Sequence, residues 1–185
     1  MRGNLLRCVG FFSMCLLVSG VAAAKDVGDP WFVDVPSECD ATTGNVVVNC
    51  GFELNVFAPW VQSGDTSFTS IQPRPHTGVY DLYTGPVNSL GFITQMVPVT
   101  VGQTYNLVFW LGNSGQPNRF QVSWEGAVIM DVSNLPNQPF TRVAINGLVA
   151  CNPMGTLRFG FYNPPDFMDF DDVELTPAVD GEEPE

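Results

Sequence analysis

The chain reads as an all-β protein, a single antiparallel β-sandwich of jelly-roll type. Three observations lead there. No window shows a convincing helical period of apolar residues. Short β-branched and aromatic runs alternate with clusters of Gly, Pro, Asn and Ser at about eight- to twelve-residue spacing, as in sandwiches and jelly rolls. Several runs also alternate strictly, which puts one face inward and the other outward. Tyr105, Leu107, Phe109 and Leu111 share one face, against Asn106, Val108 and Trp110. Phe120, Val122 and Trp124 alternate with Gln121 and Ser123, and Leu157, Phe159 and Phe161 with Arg158, Gly160 and Tyr162.

The first 24 residues have the plan of an export signal. Arg2 and Arg7 supply a basic start, Cys8 to Val21 an apolar run, and Ala22-Ala23-Ala24 a small-residue cleavage site. The apolar run is short for a bilayer span, and no second long apolar segment follows, so a mature chain from Lys25 is expected to be secreted or periplasmic. Residues 25–44 read as a polar lead-in, 45–176 as the sandwich and 177–185 as an acidic disordered tail. Strands are expected at 45–50, 58–62, 67–71, 78–84, 91–99, 104–111, 119–124, 127–132, 140–148, 155–162 and 167–175.

Formal charge is −12 for the chain, and loss of Arg2 and Arg7 takes it to −14. That excludes a nucleic-acid partner, whose phosphates need lysine and arginine, and suits a soluble exported protein. Removing the leader leaves Cys39, Cys50 and Cys151, in a compartment that permits disulfides. Cys39 with Cys50 is the expected pair, Cys50 with Cys151 the alternative. The remaining thiol would be buried or would pair between two chains in a dimer.

Asn49-Cys50-Gly51-Phe52-Glu53 near the start and Phe170-Asp171-Asp172-Val173 near the end bracket the strand-like region with carboxylates. Between them stand Trp60, His76-Thr77-Gly78, Gln95, Gly102-Gln103-Thr104-Tyr105, Leu107-Val108-Phe109-Trp110, Asn118 to Gly126 and Leu157 to Phe161. In this order the motifs resemble the carbohydrate-binding modules built as galactose-binding-like jelly rolls. The resemblance covers roughly residues 45–175. It looks closest to stand-alone exported bacterial versions, many of which carry a PEP-CTERM sorting tail. This chain departs in having Cys50 where the family has glycine, and in lacking the Pro-Glu-Pro motif, apolar helix and basic end.

The resemblance implies a jelly roll that binds polysaccharide or another glycan, with a structural calcium joining first and last strands. Carried over by position, the calcium ligands are Glu53 and Asp171, with Asp172 as a further candidate. The competing reading has these acids satisfied by backbone N–H groups. His76, the single histidine, reads as a turn residue, and no cysteine cluster has zinc spacing.

Sugars stack their C–H faces on aromatic rings while amides, carboxylates and arginine take the hydroxyls. Tyr105, Phe109, Phe120, Trp124, Phe159 and Phe161 belong to the core stripe. The outward residues Trp110, Tyr162, Arg158, Gln121 and Asn106 would make a shallow groove if their strands share one sheet, with Tyr80 and Tyr83 at its edge. The alternatives are a structural cover over Trp110 or a face that meets a partner protein.

Catalysis is not expected. The chain has no Gly-x-Ser-x-Gly elbow, phosphate loop or dinucleotide fingerprint, and one histidine in a turn makes a poor triad. Glu125, Asp131, Asp166 and Asp169 are the acids a glycan hydrolase or lyase would need, but they fall beside turns. The first reading is therefore a non-catalytic glycan-binding module. The second is a structural or adhesive extracellular protein on the same scaffold, without a sugar site.

Overall fold

A computed structural model describes residues 36–178. The expected leader (1–24), the first part of the lead-in (25–35) and most of the acidic tail (179–185) lie outside the described residues. One helical turn, α1 (Glu38–Ala41), precedes ten strands: β1 (Val61–Gly64), β2 (Thr69–Gln72), β3 (Asp81–Thr84), β4 (Gly91–Pro98), β5 (Thr104–Asn113), β6 (Arg119–Trp124), β7 (Ala127–Ser133), β8 (Gln138–Val149), β9 (Met154–Tyr162) and β10 (Met168–Pro177). They form two five-stranded antiparallel sheets. Sheet I runs β1-β4-β9-β6-β7 and sheet II runs β2-β3-β10-β5-β8. The all-β, single-domain sandwich expected from the sequence is what the chain forms.

Between the sheets, the inward stripes interdigitate. Phe52, Phe109, Phe120, Phe159, Phe161 and Phe170 are all fully buried. Phe170 sits at their centre, tilted against the Phe159 ring at 4.6 Å and edge-on to that of Phe161 at 5.3 Å. Such edge and tilted contacts suit the ring quadrupoles. The indole N–H groups of Trp60 and Trp124 donate to the carbonyls of Asn49 and Val149, which lets both rings be buried.

Residues 45–50 are a correction. Despite three consecutive valines they form no strand, because side-chain amides have taken over their backbone. The Val48 N–H and carbonyl pair with the amide of Gln95, at 2.9 Å each. The Asn45 amide donates to the carbonyls of Cys39 and Val173 and accepts from Leu175 N–H. Asn49 turns left-handed at φ 53° and donates to the carbonyls of Val56 and Ala58. The chain's two bracketing segments nonetheless lie side by side, since Val46 N–H reaches Leu175 O and Val173 N–H reaches Cys50 O, at 3.1 Å each.

Cys39 on α1 is bonded to Cys50, closing a loop of sequence separation 11. Closing a loop of that size stabilises the fold by about 3 kcal/mol through the unfolded chain. The Cys39→Ala/Cys50→Ala variant should therefore lose about that much in urea denaturation.

Candidate functional site

The outer face of sheet II carries the most chemistry. Ile71 pairs with the buried Leu82, so Ser70, Gln72, Asp81 and Tyr83 point outward by alternation. Beside them, Phe68, Thr69, Ser70, Gln72, Arg74, Tyr83 and Phe167 line a cleft of about 440 Å³. The Tyr83 ring lies parallel to Phe167 at 4.1 Å and 8°. Phe68, 61% exposed, meets Phe167 edge-on at 6.5 Å. The Arg74 guanidinium sits 4.5 Å over the Tyr83 ring, a cation–π contact. Its Nε lies 3.6 Å from Asp169 Oδ1. Pro73 and Pro75 flank Arg74, and its N–H turns back to the Gln72 carbonyl at 3.0 Å, so the side chain is delivered from a stiff, bent strap.

Under the strap lie acids with unusual protonation. Asp81 is fully buried, and its carboxyl oxygens have no hydrogen-bond partner among the described residues. Burial, and then the charge of Asp169, pushes it up to about 7. Burial raises Asp169 as well. Asp171 is pushed up to about 9, by burial first and then by Asp172. Burial is also the main reason Glu53 is raised.

The expected calcium ligands are spent on amides. Glu53 Oε1 accepts from Val79 N–H at 3.0 Å and Tyr80 N–H at 3.1 Å, and Oε2 from Val79 at 2.9 Å. Asp171 Oδ2 accepts from His76 N–H at 2.8 Å and Thr77 N–H at 3.3 Å, while Oδ1 takes Asp172 N–H at 2.8 Å. Gly78 between these donors has φ 79°, and a Cβ there would fall on the Glu53 carboxylate. The two acids thus anchor residues 76–80 instead of facing each other. Calcium wants six to eight oxygens, and a ring of N–H groups offers the opposite pole, so Glu53 and Asp171 do not fit that ion. Asp172 points elsewhere, toward His76 and Thr77.

The five expected sugar residues have the outward parity read from the sequence, but they do not share a sheet. Asn106 and Trp110 lie on β5 in sheet II, whereas Gln121, Arg158 and Tyr162 lie on β6 and β9 in sheet I. They occupy opposite outer faces, so no single groove joins them. Trp110 is covered by the His76 ring, stacked at 3.7 Å and 19°. On the other face Arg158 lies 3.5 Å over the Phe92 ring, which itself covers Gly160. Gln121 donates to Asp131, which Arg119 grips through Nε at 2.8 Å and a terminal nitrogen at 2.6 Å. Of the acids a hydrolase would use, Glu125 receives the N–H groups of Cys151 and Asn152. Asp131 is in the pair with Arg119, and Asp169 lies 3.6 Å from Arg74. Tyr83, expected at a groove edge, is the cleft's central ring. Arg74, Phe68 and Phe167 were not anticipated, although two prolines around a lone arginine signalled a fixed projection.

No family model matches the chain, and no curated protein matches it. Solved structures do. A family 61 carbohydrate-binding module in complex with β-1,4-galactotriose matches at TM-score 0.60 and 21% identity, covering 72% of this chain and 99% of that one. The family 22 module and family 10 xylanase chain of Clostridium thermocellum Xyn10B, complexed with xylohexaose, matches at 0.55 and 16%, covering 78% of this chain and 30% of that one. The K3 adhesin domain of Lys-gingipain from Porphyromonas gingivalis matches at 0.52 and 14%, covering 70% and 96%. At such identities the likeness is one of fold, and the fold is that of the carbohydrate-binding-module β-sandwich.

Proposed function

We propose that the chain is an exported, non-catalytic glycan-binding module whose sugar site is the cleft on the outer face of sheet II. The observation that carries this is the cleft lined by the half-buried rings of Tyr83 and Phe167 and the exposed ring of Phe68, with Arg74 held over Tyr83. A pyranose presents an apolar C–H face to such rings, and Arg74, Gln72 and Ser70 surround it with hydroxyl partners. Trp110 lies on the same face, beneath His76, and belongs to the floor of this surface rather than to its contact ring. The cleft is shallow and solvent-open, which fits weak binding. Calcium at Glu53 and Asp171 forms no part of this reading. Export is supported by the signal-like leader and by the Cys39–Cys50 bond. Among the described residues no helix is long and apolar enough to cross a membrane.

Affinity electrophoresis through gels cast with galactan, xylan, mannan or β-glucan tests the site. The parent should be retarded by at least one polymer, and Tyr83→Ala should weaken that interaction about tenfold, the size of one lost stacking contact. Phe167→Ala and Arg74→Ala should follow. Unchanged retardation in all three variants defeats the assignment. The adhesive reading is favoured by one observation, the exposed apolar residues Val61 (65%), Met96 (59%) and Val128 (55%) on sheet I. It predicts no retardation by any polymer.

A further inference from the structure

A second site lies beside the sugar cleft, on the strap that also carries Arg74, and its argument does not rest on sugar binding. We infer that His76 Nδ1, a carboxylate oxygen of Asp172 and a carboxylate oxygen of Glu38 together bind one borderline divalent metal ion, with zinc as the physiological class. These three ligand atoms lie within 4.8 Å of one another. Nδ1 is already 2.8 Å from Asp172 Oδ2. Three ligands at about 2.0–2.2 Å from one zinc lie roughly 3.0–3.5 Å apart, so the ion takes a slight opening of the His76–Asp172 pair and an inward turn of the exposed Glu38 side chain.

The surroundings hold these ligands in place. Asp172 sits where β10 bulges away from β5, at φ 48°, and its side chain is fully buried. Thr77 Oγ1 donates to the same Oδ2 at 2.7 Å and accepts Glu38 N–H at 2.8 Å, tying two ligand segments to the third. The His76 ring is fixed by Trp110 on its face and by Phe140 at its edge, 5.6 Å away. The Cys39–Cys50 bond pins the residue after Glu38.

Charge points the same way. Asp171 and Asp172 are adjacent and buried, yet among the described residues no lysine or arginine pairs with either. A buried carboxylate with no cation is costly, and a dication beside Asp172 supplies the missing charge. The imidazole decides the class of ion. Calcium takes oxygen ligands, whereas one imidazole with two carboxylates suits zinc, nickel or copper. No spacing motif reveals the site, because its ligands come from α1, the strap and β10. The bound ion would brace those three segments against one another.

The test uses untagged full-length protein stripped with EDTA, then titrated with ZnCl₂, NiCl₂ and CaCl₂ by calorimetry and tryptophan emission. One zinc per chain is expected, with nickel quenching emission through Trp110 and calcium giving no heat. His76→Gln should weaken zinc binding by about tenfold or more, and Glu38→Gln by a smaller factor. Circular dichroism of the metal-free variants separates lost binding from lost fold, and Glu38→Gln, being exposed, should fold regardless. Zinc affinity unchanged in both His76→Gln and Glu38→Gln overturns the assignment, as does calcium binding without zinc, or no binding of any of the three.

Discussion

Phe170→Ala should cost about 4 kcal/mol, enough to leave the chain partly unfolded at ambient temperature. Phe170 is fully buried on β10 and touches the rings of Phe52, Phe109, Phe120, Phe159 and Phe161. Removing it deletes apolar contact and leaves a cavity bounded by residues from both sheets and from the irregular N-terminal segment. Those neighbours are themselves rings fixed in strands, so the hole has little means of closing. Phe170→Leu, which retains most of the volume, should cost much less. Urea denaturation followed by near-ultraviolet circular dichroism gives both values. Comparable losses in the two variants would show that the cluster is not packed as described.

Asp81→Asn should stabilise the protein at pH 8 and do almost nothing at pH 4. The folded chain raises Asp81 from its ordinary 3.8 to about 7, so the native state holds a proton that the unfolded chain releases. Stability from that proton is complete below the ordinary carboxylate range and is lost as pH rises through about 7. The shift corresponds to at most about 4 kcal/mol at pH 8. Asp171, raised to about 9, and the raised Glu53 and Asp169 carry the same sign. Asp131, lowered to about 2 by its pairing with Arg119, carries the opposite one and matters only in acid. The parent should therefore melt highest under mildly acidic conditions and progressively lower toward pH 9. The Asn variant should show a shallower decline, read as melting temperature against pH. A parent whose melting point rises from pH 5 to 9 would contradict this assignment of charge.

Alternation told the inside of this protein from the outside, because facing is a local property with a period of two. Phe109 and Trp110, or Phe159 and Arg158, cannot exchange sides without a slip in register. Sheet membership is not local. β5 and β6 are consecutive, yet they belong to different layers, and nothing in their own residues says so. That is why Trp110 and Arg158 share parity but face opposite ways out of the molecule. The valines at 46–48 misled for another reason. β-branched residues favour strands only where the ladder is open to them, and here the amides of Asn45 and Gln95 had claimed it. The two acids at Glu53 and Asp171 do meet one short segment of chain, but from different sides and for its N–H groups.

Gly44 and Pro177 lie against each other, a Cβ at the glycine standing 3.6 Å from the proline ring. Topologically the body is a ring with one nick. Force drawn through α1 would cross the Cys39–Cys50 bond to residue 50, leave the contact between Val46 and Leu175 unloaded, and reach the Phe170 cluster last.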